Sequence, residues 1–270
     1  MQQSDLMSNR KAVELNRSII IEEIRSFEII SDAIIYGSSN YVDYPGDYDI
    51  FILVPTKFGM MNKASLKQLK EFKEYLAKII EYDIDFVPHS EEELYDYASP
   101  VYNPRHNPSL VYGHTIKGNI KINQPEAKVF SYADLTKYVI LDNRHVTRRQ
   151  ILRPFYVPAA NLFLSKLGHL FGNALSYLAF SRGEKYMVNP SDLYVCAGLI
   201  EKMLPINCVP YQEYVRALRR ELAGMNSESA FDSMSKVLNW YELFTFYLFY
   251  ATEEEKPMII EQLDSVLYEE

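Results

Sequence analysis

A chain of 270 residues is long enough to bury sizeable cores, and its length predicts two domains. With 48% hydrophobic and 24% charged residues it has the composition of a folded globular protein, which excludes an intrinsically disordered chain. A net charge of −8 supplies no global positive field to draw in a phosphate backbone and fits a small or cationic partner better than long nucleic acid.

The N-terminus, Met1-Gln2-Gln3-Ser4-Asp5, has neither a basic n-region nor an apolar h-region, so no signal peptide is read and a cytoplasmic protein is expected. Residues 9–27 place Val13, Leu15, Ile19, Ile20 and Ile24 among charges at close to helical period, which predicts an amphipathic helix. Ala33 to Tyr36 reads as a short buried strand broken by Gly37, and Tyr41 to Gly46 as a turn-rich connection. A second strand runs on from Asp47-Tyr48-Asp49 through Ile50 to Val54, where Pro55 stops it. Lys63 to Ile80 is a helix with Leu66, Leu69, Phe72, Leu76 and Ile79 on one stripe, and Tyr82 to Pro88 a third strand. Between Ser99 and Asn123, Pro100, Pro104, Pro108, Gly113 and Gly118 punctuate β-prone pieces such as Leu110-Val111-Tyr112, read as the closing edge of this α/β (α+β) domain.

The remainder is helical in pattern: Tyr132 to Asn143, Pro158 to Ser181, Ser191 to Met203, Tyr211 to Gly224, Phe231 to Tyr250 and Glu254 to Tyr268. An N-terminal domain over residues 1–127 and a C-terminal all-α bundle over 128–270 are therefore expected. The most apolar late segment, Trp240 to Ala251, contains Glu242 and falls short of the about 20 residues a bilayer needs. No membrane span is expected. Cys196 and Cys208 have no CxxC spacing and read as buried thiols of a reducing compartment. His89, His106, His114, His145 and His169 show no metal-ligand spacing.

The stretch that carries chemistry is Ile34-Ile35-Tyr36-Gly37-Ser38-Ser39, followed by Asp47-Tyr48-Asp49 at the head of the second apolar run. Glycine lets backbone approach phosphate oxygens closely, while Ser38 and Ser39 offer hydroxyl and N–H donors at an expected helix start. Alternate strand residues share a face, so Asp47 and Asp49 project together. They repel each other unless a cation lies between them, and a magnesium pair completed by a third carboxylate would compensate that repulsion. Such a site can transfer a phosphoryl or nucleotidyl group. Each motif alone is common, Gly-Ser as a turn and Asp-x-Asp as a surface pair; what points to function is their order and their apolar flanks.

This pattern resembles the signature of the DNA polymerase β-like nucleotidyltransferase superfamily over residues 30–90, and the succeeding helices are similar in arrangement to the kanamycin-type and minimal nucleotidyltransferases. The resemblance implies that Asp47 and Asp49 are ligands of two Mg2+ ions and that Gly37 and Ser38 bind the phosphates of ATP or another nucleoside triphosphate. It also implies a third acid on the next strand, at once metal ligand and general base. Asp83 and Asp85 compete for that role; Asp85-Phe86-Val87 matches better, because an apolar pair follows the acid directly. The pattern departs from many members in lacking a basic residue shortly after Gly-Ser, and Lys117, Arg148, Arg149, Arg153 and Lys166 are candidates to meet the phosphate charge instead. No Arg with a His four to six residues later occurs in the helical half, which disfavours a HEPN-type ribonuclease. The implied activity is transfer of a nucleoside monophosphate to an acceptor hydroxyl with release of pyrophosphate, the acceptor being a small molecule such as an aminoglycoside. The rivals are a toxin-like enzyme that modifies tRNA or protein, and a nucleotide-binding or interaction module without catalysis.

Overall fold

The structure is a computed structural model. It describes residues 3–43, 45–102, 110–111, 113–122, 129–184 and 192–268, with side chains from residue 9 onward. Pro104, His106, Pro108, Tyr112, Asn123 and Ser191 lie outside the described residues. The chain is mixed α+β with a helical C-terminal region, and it divides into two compact units. Unit 1 comprises Met1–Pro55, Ala64–Tyr97 and Val101–Glu126; unit 2 comprises Thr56–Lys63, Ala98–Pro100 and Ala127–Glu270. The units are thus not two consecutive blocks, since residues 56–63 and 98–100 belong with the C-terminal helices.

Unit 1 is built on three strands, β1 (Asp32–Tyr36), β2 (Tyr48–Leu53) and β3 (Ile84–His89), in the order β1-β2-β3. β1 and β2 pair antiparallel, β2 and β3 parallel. The parallel pair requires a crossover, which α2 (Lys63–Ile80) supplies. β3 starts two residues later than the expected strand and ends one residue later, at His89; Pro88 lies within it, and an edge strand tolerates its missing N–H. α1 (Gln3–Ser26) begins earlier than the apolar period predicted.

Both faces of the sheet are covered, which is why its strands read as near-continuous apolar runs. On one face α1 contributes Val13, Ile20 and Ile24, while Leu15 points to solvent. The Tyr48 hydroxyl donates to the Val13 carbonyl, and Phe72 of α2 packs on Phe86. α2 buries Leu66, Leu69, Phe72, Leu76 and Ile80. Ile79, expected on that stripe, is exposed: at 3.6 residues per turn it lies about 75° from the mean direction of the first four, whereas Ile80 lies about 25° away. The opposite face is covered by Ile34, Tyr36, Phe51, Leu53 and Val87 together with Val101, Leu110 and Ile120.

Leu110 and Val111 are helical rather than the expected strand. The free side of β1 is met instead by Thr115, bridged to Ile34, and by Ile116, whose N–H donates to the Ala33 carbonyl. The fully buried Asp32 carboxylate ties this return segment to the sheet. It accepts N–H bonds from Ala33, Lys117, Asn119 and Ile120 at 2.5–2.8 Å.

Unit 2 contains α4 (Tyr132–Ile151), α5 (Val157–Gly168), α6 (Leu170–Ser181), α7 (Leu193–Met203), α8 (Val209–Glu221), α9 (Ser227–Phe249) and α10 (Lys256–Ser265); the short α3 (Glu91–Leu94) belongs to unit 1. α4 runs eight residues beyond its predicted end at Asn143. The single helix expected over 158–181 is two, because the Gly168 carbonyl is taken by Gln212 Nε2 at 2.8 Å and His169 leaves helical geometry. α7 starts behind its N-cap Asp192, which accepts from the Val195 N–H. An aromatic cluster of Phe171, Tyr211, Trp240 and Phe244 fills the centre, with Tyr211 and Trp240 stacked at 4.3 Å.

A buried ion pair organises the other side of this unit. Arg148 and Glu242 are both fully buried and joined through Nε and Oε1; Glu242 Oε2 accepts the Met61 N–H at 2.7 Å and Arg148 Nη2 donates to the Gly59 carbonyl at 3.1 Å. Burial pushes the Glu242 carboxyl up, against the opposing pull of Arg148. The segment so held contains Phe58 and Gly59 at positive φ, and a Cβ at Gly59 would come 3.1 Å from the Phe246 ring. Among the described residues no helix is long and apolar enough to cross a membrane. Removing one partner of a buried pair strands the other charge, so Glu242→Ala and Arg148→Ala should each destabilise the fold by about 3–5 kcal/mol. The double variant Arg148→Met with Glu242→Leu should lose less than the two single losses combined, as read by urea unfolding.

Candidate functional site

Register builds this site. Asp49 pairs with Tyr36 across the antiparallel ladder and with Asp85 across the parallel one, so the two acids stand side by side on adjacent strands. Both project to the face that carries Phe51, Leu53 and Val87, at the end where that apolar cover gives way. Asp47 precedes the first residue of β2, which is Tyr48, rather than lying in the strand as expected. Its carboxylate nevertheless joins the others: one ligand atom from each of Asp47, Asp49 and Asp85 lies within 4.8 Å of the other two. Asp47 and Asp49 are half-buried and Asp85 is buried. Asp83 is not part of this group. It lies before β3, exposed, and its backbone carbonyl accepts the Tyr48 N–H.

The donor set is entirely carboxylate oxygen, the chemistry that suits Mg2+ or Mn2+ rather than a soft metal. Gly37 makes room beside it. At φ 75° and ψ −158° its backbone is in a region that only glycine adopts readily, and a Cβ there would come 2.3 Å from Asp49 Oδ2. The glycine is therefore required twice, once by conformation and once by the carboxylate against it. These residues fit a divalent ion, with Asp47, Asp49 and Asp85 as its holders.

The segment after Gly37 forms one short 3-10 turn, Ser38–Asn40, instead of the expected helix start. Ser38 is half-buried, whereas Ser39 is fully buried and its hydroxyl donates to the Tyr36 carbonyl at 3.4 Å. Its hydroxyl thus belongs to the turn. Two arginines of α1 grip the same segment: Arg17 Nη1 donates to Asn40 Oδ1 at 2.5 Å, and Arg10 donates to the carbonyls of Asn40 and Val42 at 3.3 and 3.4 Å. Seven residues apart, they share one face of the helix. Burial and the neighbouring Arg10 lower the Arg17 guanidinium, as expected of two cations brought together. Their spacing was visible in the sequence, but nothing local said that α1 runs beside the Gly-Ser turn.

The basic residues proposed from sequence fare differently. Lys117 Nζ donates to the carbonyls of Phe27 and Ile30 at 2.8 and 2.7 Å, holding the chain that leaves α1. Arg148 is consumed by Glu242 inside unit 2. Lys166 lies over the Phe163 ring, and Arg149 and Arg153 also belong to unit 2. Within unit 1, cationic charge reaches the Gly-Ser turn from α1 instead. Both cysteines are buried free thiols.

Neither a protein-family model, nor a curated protein, nor a solved structure matches this chain. The geometry yields its own test. A bound divalent ion stabilises the fold by about 2.7 kcal/mol at a hundredfold excess over Kd. Mg2+ or Mn2+ should therefore raise the unfolding midpoint of the wild type and leave that of Asp47→Asn unmoved. Gly37→Ala should lower stability by about 1–3 kcal/mol from backbone strain alone and abolish the metal response as well.

Proposed function

We propose that this protein is a divalent-metal-dependent nucleotidyltransferase. It transfers a nucleoside monophosphate from a nucleoside triphosphate to a hydroxyl of a small-molecule acceptor and releases pyrophosphate. The observation that carries this reading is the meeting of Asp47, Asp49 and Asp85 within 4.8 Å beside a turn whose glycine has no room for a side chain. The same residues carry the resemblance to polymerase β-like nucleotidyltransferases, and the reading rests on both.

Each group then has a role set by its chemistry. Asp47 and Asp49 hold the ions, which when bound neutralise triphosphate charge and polarise the reacting phosphorus. The N–H groups and Ser38 hydroxyl of the Gly37-Ser38 turn bind phosphate oxygens, while Ser39 and Asn40 keep the turn in shape through Tyr36, Ile35 and Arg17. Asp85 accepts the proton of the acceptor hydroxyl as its oxygen attacks the α-phosphorus. The bond from that phosphorus to the bridging oxygen of pyrophosphate breaks, and the leaving group carries away the electron pair. The net charge of −8 favours a cationic acceptor, of aminoglycoside type, over a nucleic acid.

Pyrophosphate release from ATP, GTP, CTP or UTP with Mg2+ and an aminoglycoside panel tests the activity. Asp85→Asn should lower the rate by about two to four powers of ten, as loss of a general base does, and Asp83→Asn far less. The reverse order would transfer the role to Asp83, and full activity in both would remove the assignment. For the acceptor, a protein gripping six to ten phosphates loses about three to five powers of ten in affinity between 50 and 200 mM salt. Labelled tRNA should show no such steep dependence here; sub-micromolar tRNA binding with that slope would favour a macromolecular acceptor.

A further inference from the structure

Within unit 2 a cleft of about 530 Å3 opens between the end of α5, the start of α7 and one face of α8. α8 presents Gln212, Arg216 and Arg219 to it, at spacings of four and three residues that align on one side of a helix. Neither arginine has an acidic partner among the described residues. Arg216 donates to the Tyr194 hydroxyl at 3.5 Å and lies 5.8 Å over that ring, which fixes its direction while leaving most of its N–H donors to the cleft. The first turn of α7 adds the positive end of an eleven-residue helix, and its N-cap Asp192 satisfies only the Val195 and Cys196 N–H groups.

Gln212 and Gly168 meet in the lining of the cleft. Gln212 is 3% exposed, and its Nε2 is bonded to the Gly168 carbonyl, which fixes the amide orientation; its Oε1 has no hydrogen-bond partner among the described residues. Gly168 lacks a side chain at this point, and a Cβ there would lie 4.0 Å from that oxygen and 3.5 Å from Leu193. An acceptor that opens into the cleft without a partner among the described residues, beside two guanidiniums that lack an acidic partner there, suits a ligand with both a donor and an anion. We propose that this cleft binds a small phosphorylated polyol, its phosphate between Arg216 and Arg219 and one hydroxyl donating to Gln212 Oε1. Its chemistry is the opposite of a cationic acceptor, so this is a separate ligand site, and it stands whether or not the acid cluster is catalytic.

Titration calorimetry in metal-free buffer, with ribose 5-phosphate as the probe and ribose and inorganic phosphate as comparators, tests the site without recourse to activity. Ribose 5-phosphate should saturate at millimolar concentration or below and bind more tightly than either comparator. Arg216→Gln and Arg219→Gln, both changes of exposed side chains, should each weaken it about tenfold, the scale of one charge-assisted bond, while Arg220→Gln on the same helix should not. Gly168→Ala adds a methyl at ordinary contact distance, so the fold should hold and affinity should fall several-fold. Absence of saturation, equal binding of ribose, equal binding of inorganic phosphate, or indifference to both arginine substitutions would each overturn the proposal.

Discussion

Three carboxylates, one oxygen of each within 4.8 Å of the other two, repel, and sheet register is what keeps Asp49 and Asp85 together, with Asp47 just ahead of β2. Asp49 is locked between Tyr36 and Asp85 by ladders on both sides, so neither acid can retreat without breaking strand pairing. The apolar cover on both faces of the sheet supplies the stability against which this repulsion is set. Gly37 then follows as a consequence, since the Asp49 carboxylate occupies the place where any other residue would put its Cβ. The proposed cation would turn this mutual repulsion into shared coordination.

The turn beyond Gly37 is shaped from outside itself. Asn40 bonds the Ile35 carbonyl on one side and receives Arg17 on the other, and Arg10 reaches the carbonyls that the 3-10 turn leaves over. α1 is thus more than a cover for the sheet: it brings two cations to a turn whose own sequence has none. Both cations are engaged in holding the turn, Arg17 on the Asn40 side chain and Arg10 on two backbone carbonyls and on Glu14. Lys117 and Arg148, two of the cations named from sequence, are tied to backbone carbonyls and to Glu242 respectively.

In unit 2 two polar devices sit in an otherwise apolar interior and do different things. Arg148 and Glu242 are closed on each other and on the backbone of residues 59–61, which makes them part of the scaffold. Gln212 is only half-satisfied, one end on Gly168 and the other facing the cleft. A buried polar group that is fully bonded specifies structure; one that keeps an acceptor open to a cleft beside two arginines is what the ligand proposed above would use.

The amino-acid sequence by itself determined the strands, the helix Lys63–Ile80 and the candidate acids, because apolar period and the Gly-Ser and Asp-x-Asp motifs are local properties of the chain. Between Asp83 and Asp85 the residues themselves left the third acid open, and only the resemblance favoured Asp85; the meeting of Asp85 with Asp47 and Asp49 is a property of the tertiary structure. What it did not contain was which elements meet. Ile80 rather than Ile79 faces the core because the sheet selects the helix face, and Leu110-Val111 is helical because Thr115 and Ile116 already meet β1. Arg10 and Arg17 beside the turn, Glu242 beneath Met61, and Gln212 under Gly168 pair residues 23 to 181 positions apart. Such pairings depend on packing between distant segments, which no local pattern encodes, and only the tertiary structure decided them.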